Sequence, residues 1–190
     1  MKTETFEIIL MTFIGMLGSV LTGLIMFSTT IFNPYTSNFM FITAGLYGSL
    51  FFSMLTFKNK KQQIFAMISI YFLNLVIFSG RSVTIYMALR DFVSLTALFS
   101  AIAIYYQFIH KYKKLKLFLR SFALSFIYGI LSAAAGLFLY TVNTGTIPPL
   151  SFLHFMGRKG ILIGFGIGMA IDLYLQFKRS ILRIFKVNSI

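Results

Sequence analysis

Long apolar runs fill this chain, and short polar clusters separate them. A helix that crosses a bilayer needs about 20 mostly apolar residues. Six runs reach or approach that length, over about residues 8–32, 39–57, 64–80, 83–109, 118–141 and 160–177. The third is short and the fourth is long. The pattern predicts an all-α protein, a polytopic integral membrane bundle of six transmembrane helices. No repeat, low-complexity segment or soluble module interrupts it, so residues 1–190 are expected to form one domain.

Composition identifies the solvent. Hydrophobic residues make up 58% of the chain and charged residues 11%, and mean hydropathy is +0.86. Soluble domains carry about 25% charged residues. A surface this apolar suits hydrocarbon. The first run is too long for the core of a secretory signal, and no small-residue cleavage site follows it, so it is expected to remain as a span.

Charge then predicts orientation. Of the 17 Lys and Arg residues, all but Arg81, Arg90, Arg158 and Lys159 fall near the N-terminus, in "KNKKQQ", in "HKYKKLKLFLR" or in the tail. Basic residues collect on the cytoplasmic side of membrane proteins. Both termini are therefore expected inside, which requires an even number of spans. The expected location is a cytoplasmic membrane of prokaryotic type. "NPYTSN", uncharged and containing Pro34, reads as a short outer turn. The tail, residues 178–190, alternates basic and apolar positions. It reads as an amphipathic segment on the inner leaflet, with Ile181, Leu182, Ile184 and Phe185 toward lipid, or as a helix end whose bases snorkel to the interface.

Small residues recur at four-residue steps: Gly15, Ser19 and Gly23; Ser125, Gly129 and Ala133, with Gly136 close by; Gly160, Gly164 and Gly168. Such stripes let helix backbones approach in lipid. They read first as packing seams, and secondarily as a ligand groove or a docking face for a partner. Asp172 continues the last stripe. An acid within a span costs several kcal/mol unless paired or hydrated. Asp172 reads either as a structural acid bonded to Tyr174, a serine hydroxyl or a nearby base, or as a coupling acid for a proton or cation. Asn74, midway through the third run, is a candidate polar partner.

The stretch "GRSVTIYMALRD" places Arg81, Arg90 and Asp91 between the third and fourth runs, on the expected outer side. "NTGTIPPLSFLHFMGRKG" adds His154, Arg158 and Lys159 there. It reads as the longest connection, stiffened by Pro148 and Pro149, with "LSFLHFM" dipping into the membrane surface. Three arrangements follow. Arg90 pairs with Asp91 while the other bases meet lipid phosphates; or Arg81, Arg90, Arg158 and His154, with Asp91 beside them, surround an anionic ligand, for which guanidinium forks are suited; or His154 and Asp91 exchange protons in a reaction.

Several chemistries find no carrier. Cysteine is absent, which removes disulfides, thiolate metal sites and thiol nucleophiles. The two histidines, His110 and His154, fall on opposite expected sides, so neither a metal site nor a cofactor is expected. "GIGMAID" lacks the preceding strand of a dinucleotide fingerprint. The net charge of +13 is explained by cytoplasmic connections without invoking nucleic acid.

In length, helix number and orientation the chain resembles, in outline, the substrate-binding subunits of energy-coupling-factor vitamin transporters. That resemblance implies a solute site open to the outside, and it carries over no individual residue. Sensor portions of peptide-responsive kinases are similar in outline too. The function expected is non-enzymatic: binding or translocating a small anionic or amphipathic solute from the outer face, with Arg81, Arg90, Asp91, His154 and Arg158 as recognition residues and Asp172 as a candidate coupling acid. The alternatives are a membrane enzyme acting on a lipid or lipid-linked head group, and a scaffold or sensor subunit. Expected partners are membrane lipids, a second membrane protein or another copy of the chain, and an unidentified small molecule.

Overall fold

The computed structural model describes residues 3–27, 34–57, 60–78, 85–111 and 117–184. They form six helices: α1 (Thr3–Phe27), α2 (Pro34–Thr56), α3 (Lys60–Phe78), α4 (Ile85–Lys111), α5 (Leu117–Thr144) and α6 (Leu150–Ile184). Four contain stretches long and apolar enough to cross a membrane: Glu4–Leu24, Ala88–Phe108, Leu119–Thr144 and Leu150–Lys178. Phe41–Thr56 of α2 is a shorter apolar stretch. The outer faces are greasy. Ile9, Phe13, Leu17, Leu21 and Leu24 line the exposed side of α1, and Phe122, Phe126, Ile130 and Phe138 that of α5. Such a surface is matched by lipid and not by water.

Helix boundaries differ from the apolar runs where proline intervenes. α2 begins at Pro34, so the expected turn around that residue is already helix. A proline in the first turn gives up only an amide that has no helical acceptor. The sixth span, expected from residue 160, begins at Leu150. The Pro149 carbonyl accepts the amides of Phe152 (3.0 Å) and Leu153 (3.4 Å), which nucleates the helix there. The expected re-entrant loop "LSFLHFM" is therefore the first two turns of α6. What connects α5 to α6 is only residues 145–149. Gly145 ends α5 with φ +70° and donates its amide to the Thr141 carbonyl at 2.8 Å, a left-handed cap that glycine adopts without strain. At the other end α6 continues past Lys178 to Ile184 without a break, so the described part of the tail extends the span. Residues 185–190 lie outside the described ones.

α6 is the axis of the bundle. From Ile163 to Asp172 no residue is exposed, as expected of a helix surrounded by others. Its small residues occupy two sides. On one, a Cβ at Gly164 would lie 2.9 Å from the Leu124 carbonyl oxygen, and one at Gly168 3.0 Å from the Ser121 Cα. On the other side a Cβ at Gly166 would strike the Gly18 carbonyl of α1, and one at Gly18 would strike the Gly166 carbonyl. Backbones meet in both places because no side chain separates them. α5 reinforces its seam with hydroxyls: Ser125 donates to the Ile161 carbonyl (2.7 Å) and Ser132 to the Met156 carbonyl (2.9 Å).

The remaining small residues fall on further contacts. Gly15 sits against Ser49 of α2, Ser19 against Gly45, and Gly23 against the Phe41 ring; Gly129 receives Ile161 of α6. These contacts make α1 antiparallel to α2 and to α6, and α5 antiparallel to α6. α2 and α4 run the same way, with Phe51 stacked on Phe99 at 4.5 Å and Phe52 edge-on to Tyr106 at 5.7 Å. α3 packs against α2 alone among the described residues.

Close approach gives a measurable asymmetry. Gly166→Ile is expected to lose about 1–3 kcal/mol of folded stability, the usual range for overpacking. Gly157→Ala has room, its nearest neighbours lying 3.7 Å away, and is expected to gain up to about 1 kcal/mol from helix propensity. Unfolding in graded denaturing detergent measures both. Equal stability of the Gly166→Ile variant and the parent would show that α1 does not meet α6 there.

Candidate functional site

Of the four acids in the chain, Glu4, Glu7 and Asp172 lie toward one end of the bundle, formed by the start of α1, the end of α4, the start of α5 and the end of α6. Two of them are buried. Glu7, on the second turn of α1, is 6% exposed, and Asp172 on α6 is 1% exposed. Each is held by a different set of groups.

Glu7 faces α6. Its Oε2 accepts a hydrogen bond from the Tyr174 hydroxyl at 3.1 Å and pairs with the Lys178 ammonium at 2.6 Å. Tyr174 and Lys178 are four residues apart and so share one face of α6. Lys178 also lies over the Phe57 ring at the end of α2, 5.7 Å from its centroid. One charged knot therefore joins α1, α2 and α6.

Asp172 faces the opposite way, toward α4 and α5. Two residues along a helix is a rotation of about 200°, which is why Tyr174 serves Glu7 and not the aspartate. Ser121 of α5 donates to Asp172 Oδ2 at 3.3 Å. The Arg120 guanidinium and the Tyr105 hydroxyl are its electrostatic neighbours. Tyr105 is 0% exposed, and its hydroxyl faces the carboxylate as a donor without closing a full hydrogen bond. Asp172 Oδ1 and Tyr105 Oη consequently have no hydrogen-bond partner among the described residues. Leaving a buried polar group unpaired costs about 1–3 kcal/mol, which marks these two oxygens as a candidate site. Gln63, near the start of α3, is likewise fully buried with neither amide atom bonded among the described residues.

The other end gathers bases. Arg90, in the second turn of α4, directs Nε (3.1 Å) and Nη2 (2.9 Å) at Asp91 Oδ1, an exposed ion pair between chain neighbours. Because α6 begins at Leu150, His154, Arg158 and Lys159 are helical residues. Lys159, half-buried, is an electrostatic neighbour of Arg90, while His154 and Arg158, one turn apart, are exposed on α6. His154 makes no hydrogen bond or ion pair among the described residues, and none joins it to Asp91. Arg81 lies outside the described residues, as does the side chain of Asn74.

Sequence reading singled out Asp172 and the Arg90–Asp91 pair and offered Tyr174 as a partner of Asp172, whereas Tyr174 bonds Glu7; it gave no site role to Glu7, Tyr105, Arg120, Ser121 or Lys178. Glu7 carried one usable signal: it is an acid at the head of an apolar run. Its partners are 167 or more positions away and leave no local trace. The chain matches no protein-family model, and it has no significant match to a curated protein or to a solved structure.

The Glu7 knot can be weighed by a double-mutant cycle on Glu7→Gln and Lys178→Gln. Lys178 is 38% exposed, so solvent screens the pair, and a coupling of about 1 kcal/mol is expected. A coupling of zero in detergent unfolding would mean that the two charges do not meet.

Proposed function

We propose that this chain is a six-span membrane protein, with both termini in the cytoplasm, that binds or translocates a small anionic or amphipathic solute entering from the outer face. The observation that carries the reading is that Lys159 of α6, next in the chain to Arg158, is an electrostatic neighbour of Arg90 of α4. Asp91 is the only acid of the chain at that end. Two helices thus bring cations together with a single carboxylate to balance them, and a guest bearing carboxylate or phosphate would complete the balance. A guanidinium fork and an ammonium recognise such groups by charge and by directed hydrogen bonds.

The orientation follows from the bases. Lys60 and Lys61 at the start of α3, Lys111 at the end of α4 and Lys178 near the end of α6 lie at the Glu7 end, so the positive-inside rule puts that end in the cytoplasm and the Arg90 end outside. Asp172 then sits about one turn within the inner boundary. Its place in the proposal is that of a coupling acid, far from the recognition end but on the same helix as Arg158 and Lys159. A rigid α6 provides the link between the two.

Mass spectrometry of small molecules extracted from the purified protein tests the binding claim. A solute enriched over detergent and lipid background is expected, and Arg90→Gln is expected to retain about tenfold less, equivalent to roughly 1.4 kcal/mol. Recovery of lipid and detergent alone, or identical retention by the variant, would contradict the proposal. A reporter fused after Ile190 is expected to be active only on the cytoplasmic side; activity outside would overturn the orientation.

A further inference from the structure

The polar groups around Asp172 are too few for a metal cage and too well enclosed to be a by-product of helix packing. Two buried oxygens, Asp172 Oδ1 and Tyr105 Oη, belong to neighbouring side chains and have no hydrogen bond to either among the described residues. Ser121 holds the other carboxylate oxygen, Oδ2, in place. Charge decides what the site can accept. A carboxylate turns away anions, and the nearby Arg120 guanidinium already balances it, which disfavours a resident metal cation. A proton adds no bulk and needs only one oxygen, and Oδ1 is the carboxylate oxygen that no hydrogen bond occupies among the described residues.

We propose that Asp172, with Tyr105 beside it, is an exchangeable proton-binding site inside the bundle. The proton comes from water, and an O–H bond forms at Oδ1. The carboxylate charge is lost, and the site as a whole becomes more positive by one, because Arg120 no longer has its counter-charge. In the ionised form Oδ1 faces the Tyr105 hydroxyl as an acceptor; once protonated it donates to the Tyr105 oxygen instead, while the Ser121 bond to Oδ2 persists. Protonation therefore removes the charge that Tyr105 of α4 and Arg120 of α5 face, and exchanges the donor and acceptor roles of Asp172 and Tyr105.

The groups facing Asp172 are Tyr105 from α4, and Arg120 and Ser121 from α5. α1 and α2 also pack on α6; the charged group α1 brings near this level, Glu7, is turned to Lys178 and Tyr174, and α2 brings only uncharged rings, Phe57 beneath Lys178 and Phe52 beside Tyr105. The two acids are therefore separate: Glu7 has a fixed cation and a fixed hydroxyl donor, and Asp172 has an oxygen to spare. The site itself stands on this geometry, and only its use in coupling rests on the solute-binding reading.

The chain contains two aspartates, Asp91 and Asp172, so 13C-carboxyl aspartate labelling yields two resonances in lipid vesicles without any mutation. Asp91→Asn, at a half-buried position in the second turn of α4, assigns them. Reversible titration of the Asp172 carbon, at pH values where helicity is unchanged, is expected, and Tyr105→Phe is expected to displace its midpoint. An Asp172 resonance that stays constant over the whole range, or a midpoint indifferent to Tyr105→Phe, would overturn the proton site. A resonance that responds to added Na+ at constant pH would overturn it in favour of a cation. Small-molecule extraction on the same preparations separates this claim from the previous one. Titration without any recovered solute removes the solute reading alone, and a recovered solute without titration removes the proton site alone.

Discussion

Backbone contact along α6 is the constraint on which the rest of the bundle depends. Lipid tails are as apolar as leucine, so helices in a membrane gain little from hiding hydrophobic side chains. They associate where surfaces fit closely enough for dispersion and for hydroxyl-to-carbonyl bonds. α6 provides two such surfaces. Gly164 and Gly168 admit α5, and Gly166 admits α1 through Gly18. Larger residues at these points would hold the neighbours a side chain's width away, and the serine bonds from α5 to the Ile161 and Met156 carbonyls would be out of reach.

The same closeness isolates the charges. Asp172 is buried because α5 lies directly on the turn before it, and Glu7 is buried because α1 is seated against the last turns of α6. Glycine seams and acids are thus parts of one arrangement. The seams bring the helices together, and at the end of each seam a carboxylate meets groups from another helix. On the α5 side those groups are Ser121 and Arg120 with Tyr105 of α4 behind them; on the α1 side Glu7 meets Tyr174 and Lys178. The two outcomes differ in chemistry. Glu7 is a closed ion pair that fastens a helix, and Asp172 keeps an oxygen open.

Much of this was legible in the chain, for reasons that can be named. Gly164 and Gly168 stand out because four-residue steps stay on one helix face. Arg90 and Asp91 are adjacent, so their pairing needs no fold. Gly166 escapes the same reading because it lies on the other side of α6 and pairs with Gly18, and only the folded chain brings those two together. The start of α6 was obscured by Gly157, Arg158, Lys159 and Gly160, which look like a polar break. Pro149 was the better signal, since its carbonyl begins the helix. Tyr174 was assigned to the nearer acid in sequence, whereas helix geometry turns it to Glu7. Partners distant in sequence and identified by a single hydroxyl or ammonium group leave no pattern to read.

The seating of α1 on α6 carries this account, and the Glu7–Lys178 pair reports on it directly. An apolar carbodiimide activates a carboxylate for attack by an amine already in contact, so it joins the two only where they touch. In lipid vesicles the account expects an amide between Glu7 and Lys178 within a single chain, found by proteolysis and mass spectrometry of the monomer band. Glu7 joined instead to Lys60 or Lys61, or left unjoined while the more exposed Glu4 reacts, would contradict it.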